Sequence, residues 1–546
     1  MTFRLATIVS GVIFIYSALI FKIYYLQIER GQDYIAKAES QVGSAGLLRA
    51  RRGNIYFTDK NHNLIPAAIN KDYPVVYAVP KEIEDREGAA GVLSQILGLE
   101  KDKLILKLSK LNDLYELLLA KASPEQVWAI QEAKIAGVYI NDKNFRFYPF
   151  ESLAAHILGF LSPSDEDDQI IGRYGLEAYY EDSLSGRAGH LDGAKVIEPQ
   201  HGKDLILTID RNIQARGEEI LGDLIDQYNA VGGALIVADP KTGKILAMAS
   251  APNFDPNNYS EYSVENFLNP TVESVYEPGS IFKVITMSAG IDAGKITPET
   301  TYYDSGSVTL NGRTIKNWDN KAHGTQTMTQ VIEQSLNTGA VFAQRQTGRG
   351  DFYKYVEQFG FKDLTLVGLP DEVSGNLINL EKNIRDINFA TASFGQGISV
   401  TPIELISAIG AIANDGVLMR PFLIEGTAPQ VLRRVISQET ADQVTAMMVS
   451  AVKNAQIAQI PNYKIAGKTG TAQVPDFVRG GYTHQVINTY VGFAPATDPK
   501  FIILVRLDKP EGAPLAGLTV VPAFRDLAHF ILNYYNIPPD DLAISD

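Results

Sequence analysis

Glu277-Pro278-Gly279-Ser280-Ile281-Phe282-Lys283-Val284-Ile285-Thr286-Met287 reads as a helix that opens on a hydroxyl and then runs almost wholly apolar. Pro278 and Gly279 signal the start. Ser280 then sits at the positive end of the helix dipole, where a developing oxyanion is stabilised. Lys283 follows three positions later, over the same helix face and within hydrogen-bond reach of the hydroxyl. Among apolar neighbours its amine is desolvated, which favours the neutral form and suits it to take the serine proton. A capping serine followed by a snorkelling lysine has the same spacing, so the rest of the chain must discriminate.

Two companion motifs do so, although each of the three patterns occurs twice. Ser335-Leu336-Asn337 is echoed by Ser374-Gly375-Asn376, Lys468-Thr469-Gly470 by Lys241-Thr242-Gly243, and Ser280-x-x-Lys283 by Ser450-x-x-Lys453. Ser450 falls late in an amphipathic helix over 441–453, where its hydroxyl is expected to bond to a carbonyl one turn back. Ser374 and Asn376 lie in a loop marked by Pro and Gly, and Lys241 to Gly243 form a hairpin turn. Ser335 and Asn337, in contrast, close a helical segment at Gly339. Lys468 to Thr471 lie on a strand whose Gly467 and Gly470 permit a ligand to approach closely. The candidate site is therefore Ser280, Lys283, Ser335, Asn337 and Lys468, with Thr469, Gly470 and Thr471 beside them.

Around these motifs the pattern is that of an antiparallel sheet interrupted by helices. An alternating strand over 204–210 leads into a helix over 212–228, then a hairpin of strands 233–238 and 244–250. Strands over 463–474, 486–494 and 501–508 come late, and 522–535 reads as a closing helix. The intervening 266–453 is mainly helical, and such an insertion against a sheet edge makes a cleft. Before residue 203 the chain mixes strand-like runs, such as 73–79, with a helical pattern around 101–119, and carries no catalytic constellation.

The amino terminus reads differently. Leu5 to Phe21 is uncharged and mostly apolar, and with Ile23 to Ile28 beyond Lys22 it is long enough to span a bilayer. Lys22 can snorkel beside Tyr24 and Tyr25, which suit the headgroup region. No small-x-small cleavage site follows, so an uncleaved anchor is expected, with Arg4 on the inner side and the bulk of the chain extracytoplasmic.

Composition narrows the class further. The 546 residues carry a net charge of −14, with no basic run that could track a phosphate backbone, which excludes a nucleic-acid partner. The chain has no cysteine, so neither disulfides nor thiolate chemistry contribute. Its histidines show no His-Glu-x-x-His pattern, and neither metal nor cofactor is expected. His484, near the last motif, is read as part of a loop because Lys283 already supplies a base.

In this order Ser280-x-x-Lys283, Ser335-x-Asn337 and Lys468-Thr469-Gly470-Thr471 resemble the active site of penicillin-binding proteins. The likeness extends to the pedestal of the class B, monofunctional transpeptidases: Arg52-Gly53-Asn54-Ile55, Arg146 with Tyr148-Pro149, Leu153-Ala154-Ala155-His156, and Gly175-Leu176-Glu177. Gly395-Gln396-Gly397 and Val491-Gly492-Phe493-Ala494-Pro495 match as well, so coverage runs from about Arg52 to Phe524. Tyr56 to Asn63 departs from the family's Asp-Arg-Asn-Gly signature.

The resemblance implies an α/β multidomain architecture. A short cytoplasmic tail and transmembrane anchor (1–28) would precede a mixed α+β pedestal, or dimerisation-like, domain (29–202). A penicillin-binding transpeptidase domain (203–536) would follow, with a five-stranded antiparallel sheet flanked by helices and a helical subdomain, then a C-terminal tail (537–546). It further implies that Ser280 attacks the penultimate D-alanine carbonyl of a peptidoglycan stem peptide ending in D-Ala-D-Ala. Lys283 would take the serine proton, Ser335 and Lys468 would relay a proton to the leaving group, and Asn337 would orient Lys283 and the substrate amide. Backbone N–H groups of Ser280 and Thr471 would form the oxyanion hole, with the Thr469 and Thr471 hydroxyls on the substrate carboxylate. β-Lactams, the membrane, a glycosyltransferase and other division-complex proteins are the implied partners, at the bacterial inner membrane with the catalytic domain periplasmic. The single anchor and modest pedestal favour the septal type. An elongation-type enzyme, a D,D-carboxypeptidase or β-lactamase, and a non-catalytic scaffold or sensor remain the alternatives.

Overall fold

A computed structural model describes Tyr16, Lys22 and residues 50–541, apart from 111–112, 165–168, 193–194, 383–384, 477 and 514. The anchor expected over 1–28, Tyr16 and Lys22 aside, and the last five residues of the tail lie outside the described residues. Among the described residues no helix is long and apolar enough to cross a membrane. Compactness divides the chain into two units, 1–53 with 182–203, and 54–181 with 204–546. In the first, Gly53 N–H donates to Leu184 O at 2.8 Å and Gly202 N–H to Arg51 O at 2.8 Å, and strands His190–Asp192 and Lys195–Ile197 pair as a hairpin.

The second unit begins with a five-stranded sheet of Ile55–Thr58, Ile65–Ala78, Glu116–Leu119, Val138–Phe147 and Leu205–Asp210. Ile55–Thr58 pairs in parallel with Leu205–Asp210, so the last strand of this sheet is also the lead into the C-terminal region. Helices Arg86–Leu97, Lys101–Leu108 and Pro124–Ala133 cover one face around Val76, Leu93, Leu104 and Ile130. The helix expected over 101–119 therefore ends at Leu108. Leu117-Leu118-Leu119 is too short for its period to separate helix from strand, and pairing with Val76–Ala78 makes it a strand. Arg146 and Glu177 form a buried ion pair, Nε to Oε1 at 2.6 Å, with side chains 3% and 0% exposed.

The C-terminal region is built on a second five-stranded sheet, wholly antiparallel. Its strands are β1 (Gly232–Ala238), β2 (Ile245–Ala251), β3 (Ala466–Pro475), β4 (Tyr482–Ala494) and β5 (Phe501–Asp508), in the spatial order β2-β1-β5-β4-β3. Helices α1 (Arg211–Tyr228) and α7 (Val520–Tyr534) pack on one face, where Leu221, Leu235, Val505, Phe524 and Leu527 form the core. Between β2 and β3 the chain builds α2 (Phe282–Asp292), α3 (Met328–Gln334), α4 (Asn337–Thr347), α5 (Pro402–Ala413) and α6 (Gln438–Ala455). Ile236 and Leu504 are fully buried on the sheet face opposite the α1/α7 core, so the central strands are apolar on both sides.

The sequence pattern and the observed strands differ by more than one residue at two ends. β3 begins at Ala466, three residues later than expected. β4 begins at Tyr482, four residues earlier, because beyond the turn at Gly480-Gly481 Tyr482 pairs back to Pro475. The insertion also carries two small hairpins, Thr301–Asp304 with Gly324–Thr327 and Ser307–Leu310 with Arg313–Lys316. β3 is an edge strand, and α6 lies against it and against α3.

Candidate active site

Ser280 lies in the tight turn Gly279–Ile281, immediately before α2, and is partly exposed. Gly279 takes φ +57°, which L side chains rarely adopt, and donates its N–H to Gly395 O at 3.1 Å. The turn is pressed against β3. A Cβ on Gly470 would lie 2.8 Å from Pro278 O, and one on Gly279 would lie 3.1 Å from Thr471 O. Gly470 thus makes room for the Ser280 turn, and Gly467 for Tyr490, whose hydroxyl a Cβ there would meet at 2.0 Å. The clearance read from the sequence as space for a ligand is filled by the protein itself.

Lys283 is 0% exposed and lies on the first turn of α2. Its Nζ donates to Ser335 O at 2.6 Å and to Ser335 Oγ at 3.2 Å. Lys468, 4% exposed on β3, donates to the same Oγ at 3.0 Å, and also to Thr469 O at 3.1 Å and Thr469 Oγ1 at 3.3 Å. Two buried amines therefore share one hydroxyl. Burial drives the Lys283 pKa well below the ordinary lysine value, and the neighbouring Lys468 lowers it further. Burial brings Lys468 down to about 7. Both shifts have the cause that desolvation of an unpaired ammonium predicts. Among the described residues the Ser280 hydroxyl makes no hydrogen bond, so Lys283 rests on Ser335 and not on Ser280 in this conformation.

Ser335 and Asn337 do not close one helix. Ser335 caps the end of α3 in the left-handed region (φ 57°), and Asn337 opens α4, with Gly339 inside that helix. The break lifts the Ser335 hydroxyl and carbonyl out of helical bonding and toward the two lysines. Asn337 Nδ2 donates to Lys316 O at 2.8 Å, not to Lys283. Beneath it lies a cluster that sequence reading missed. The fully buried Asp304 carboxylate accepts from Gly306 N, Thr338 Oγ1 and Asn317 Nδ2, each at 2.8 Å. Asn317 Oδ1 in turn accepts from Thr338 N at 3.2 Å. Little in the local sequence marks Asp304, because only Gly306 among these partners is near it in the chain, while Asn317 and Thr338 lie 13 and 34 residues away.

Thr469, Gly470 and Thr471 continue along β3. The Thr471 hydroxyl donates to Asn488 Oδ1 at 3.3 Å and accepts from Ala516 N at 3.3 Å. His484 is exposed on β4. Among the repeated motifs, Ser374 and Asn376 lie in a loop and Lys241 to Gly243 in the β1–β2 turn. Ser450 lies on α6, but its hydroxyl donates to Glu333 Oε1 on α3 at 2.5 Å, not to a carbonyl one turn back, because α3 packs beside it. Ser450→Ala is expected to leave acylation by penicillin at the parent rate and to lower stability by about 1 kcal/mol. A thermal melt beside an acylation time course checks both.

Comparison with known proteins sets this geometry in context. Residues 233–529 match the penicillin binding protein transpeptidase domain, and residues 47–221 match the penicillin-binding protein dimerisation domain. The chain is 32% identical to stage V sporulation protein D of Bacillus subtilis, over 91% of this chain and 80% of that protein. It is 27% identical to the peptidoglycan D,D-transpeptidase FtsI of Escherichia coli, over 100% and 94% respectively. The crystal structure of penicillin-binding protein 3 from Mycobacterium tuberculosis in complex with aztreonam superposes with a TM-score of 0.70 at 26% identity, covering 90% of this chain and 98% of that one. A dimerisation-type match followed by a transpeptidase-type match that spans more than half of the chain leaves one assignment: the chain belongs to the class B penicillin-binding proteins, in their septal branch.

Proposed function

We propose that the protein is a serine-type D-Ala-D-Ala transpeptidase that cross-links peptidoglycan stem peptides in septal wall synthesis, with Ser280 as its nucleophile. The observation that carries the assignment of roles is the pair of buried amines on Ser335 beside the Ser280 turn. In acylation Lys283, held neutral by burial, takes the Ser280 proton as Oγ attacks the penultimate D-alanine carbonyl. Negative charge gathers on the carbonyl oxygen, toward the backbone N–H groups of Ser280 and Thr471. As the C–N bond breaks, the terminal D-alanine nitrogen takes a proton from Ser335 Oγ, and Lys468 restores it. An acceptor amine then attacks the acyl-enzyme by the reverse route and frees Ser280.

β3 suits the substrate because its outer edge pairs with no strand among the described residues, so an extended stem peptide can add to the sheet there. Thr469 and Thr471 would hold the substrate carboxylate, with Gly470 between them. Asn337, fixed on the Lys316 carbonyl, would present its remaining oxygen to the substrate amide. The apolar run over 5–28 would anchor the chain in the bacterial inner membrane with this site outside the cytoplasm. A glycosyltransferase and other division proteins would be its partners there, together with the β-lactams that capture Ser280.

The test is turnover of a stem peptide ending in D-Ala-D-Ala in the presence of an amine acceptor, followed by mass spectrometry. Release of D-alanine with a cross-linked product is expected. Hydrolysis alone would make the protein a carboxypeptidase, and no turnover by folded protein would make it a scaffold.

A further inference from the structure

Glu277 ties together three segments around Ser280. It stands three residues before Ser280, in a strand-like stretch that Tyr276 laces to Val400 by N–H to O bonds of 3.0 and 2.9 Å in the two directions. Its Oε1 accepts from Gly397 N at 2.9 Å and from Tyr482 Oη at 3.2 Å. Gly397 lies in the 395–397 loop, whose Gly395 already holds Gly279. Tyr482 opens β4 at the far end of the β3–β4 hairpin, the hairpin that carries Lys468 to Thr471. The other Glu277 carboxyl oxygen, Oε2, is buried without a hydrogen-bond partner among the described residues, and burial raises the carboxyl pKa. A carboxylate kept at that cost in buried surroundings, with one oxygen unsatisfied, has a use beyond filling space.

From this geometry we infer that Glu277 is a positioning residue for the reaction proposed above: through Tyr482 and Gly397 it clamps the β3–β4 hairpin to the turn that presents Ser280. The physical need is plain. The oxyanion site would be built from one N–H on the turn and one on β3, two elements that touch through backbone at Gly279 and Gly470. β3 is an edge strand that pairs with β4 alone among the described residues, so no second strand fixes its outer half. Oxyanion donors lose their effect when displaced by a fraction of an ångström. A side-chain bond from the turn to the hairpin's far end fixes that half without occupying the cleft.

The test uses the full-length chain and benzylpenicillin, with stopped-flow separation of the initial binding constant from the acylation rate constant. Tyr482→Phe removes one hydroxyl from an exposed side chain. It is expected to slow acylation about tenfold at unchanged initial binding and unchanged melting temperature. Glu277→Ala should slow it at least as much, and Glu277→Gln, which keeps a carbonyl acceptor, should recover part of the loss. Combining Glu277→Ala with Tyr482→Phe should slow acylation no further than Glu277→Ala alone, because both remove the same bond. Acylation of Tyr482→Phe at the parent rate, or losses that multiply in the double variant, would overturn the clamp. If Glu277→Ala does not fold, Tyr482→Phe and Glu277→Gln decide by themselves. Failure of the parent chain to acylate at all would instead remove the transpeptidase reading, and the clamp with it.

Discussion

Ser280→Ala is expected to abolish covalent capture of benzylpenicillin, lowering acylation by on the order of 10⁴-fold or more while leaving the fold intact. The size follows from the chemistry, since no other hydroxyl lies at the start of α2 to replace the lost nucleophile. The fold should survive because Ser280 is partly exposed and its hydroxyl makes no hydrogen bond among the described residues. Intact mass and peptide mapping after exposure to the drug read the result directly. The parent chain should carry a penicilloyl adduct on the peptide that contains Ser280, and the variant none. An adduct that persists in Ser280→Ala would move the nucleophile elsewhere, with Ser335 the first residue to map.

The second large effect belongs to Lys283. Lys283→Met keeps most of the buried volume and removes the amine, and should slow acylation by about 10³-fold, within the usual range for loss of a general base. It also leaves the Ser335 carbonyl without its 2.6 Å donor, which is expected to cost about 1–3 kcal/mol of stability. The pH profile separates the two consequences. Lys283 must be neutral to accept the Ser280 proton, and its pKa is depressed. The parent rate should therefore fall as pH drops through that lowered pKa, where the amine takes up a proton. The Lys283→Met variant should lose this acidic limb. A variant that acylates at the parent rate, or keeps the same limb, would transfer the base to Lys468, whose own pKa sits at about 7.

These predictions rest on residues of unequal legibility. The start of a helix beside the Ser280 hydroxyl was readable from Pro278, Gly279 and the apolar run behind them, because capping and periodicity are local. Strand β5 was readable over all of Phe501–Asp508 for the same reason. The hydrogen bond of Ser450 was not, since its acceptor Glu333 lies 117 residues away on a helix whose packing no local pattern describes. The helix expected over 101–119 failed similarly, where a short leucine run took its conformation from the strand it met. Glu277 stands in the sequence only as the residue before Pro278, although it reaches a tyrosine 205 residues away.

What the sequence by itself determined is the order of elements and the identity of the reactive groups: a hydroxyl and an amine three residues apart, two companion motifs, and a sheet with an insertion. Only the tertiary structure decided what those groups are chemically. Lys283 and Lys468 meet on Ser335 across separations of 52 and 133 residues, and both have lowered pKa values because packing from three segments removes their water. Desolvation is a property of the surroundings, not of the residue, so no motif contains it. The same packing showed that Gly467 and Gly470 make room for protein rather than for a ligand, because it is the Ser280 turn that closes on Gly470.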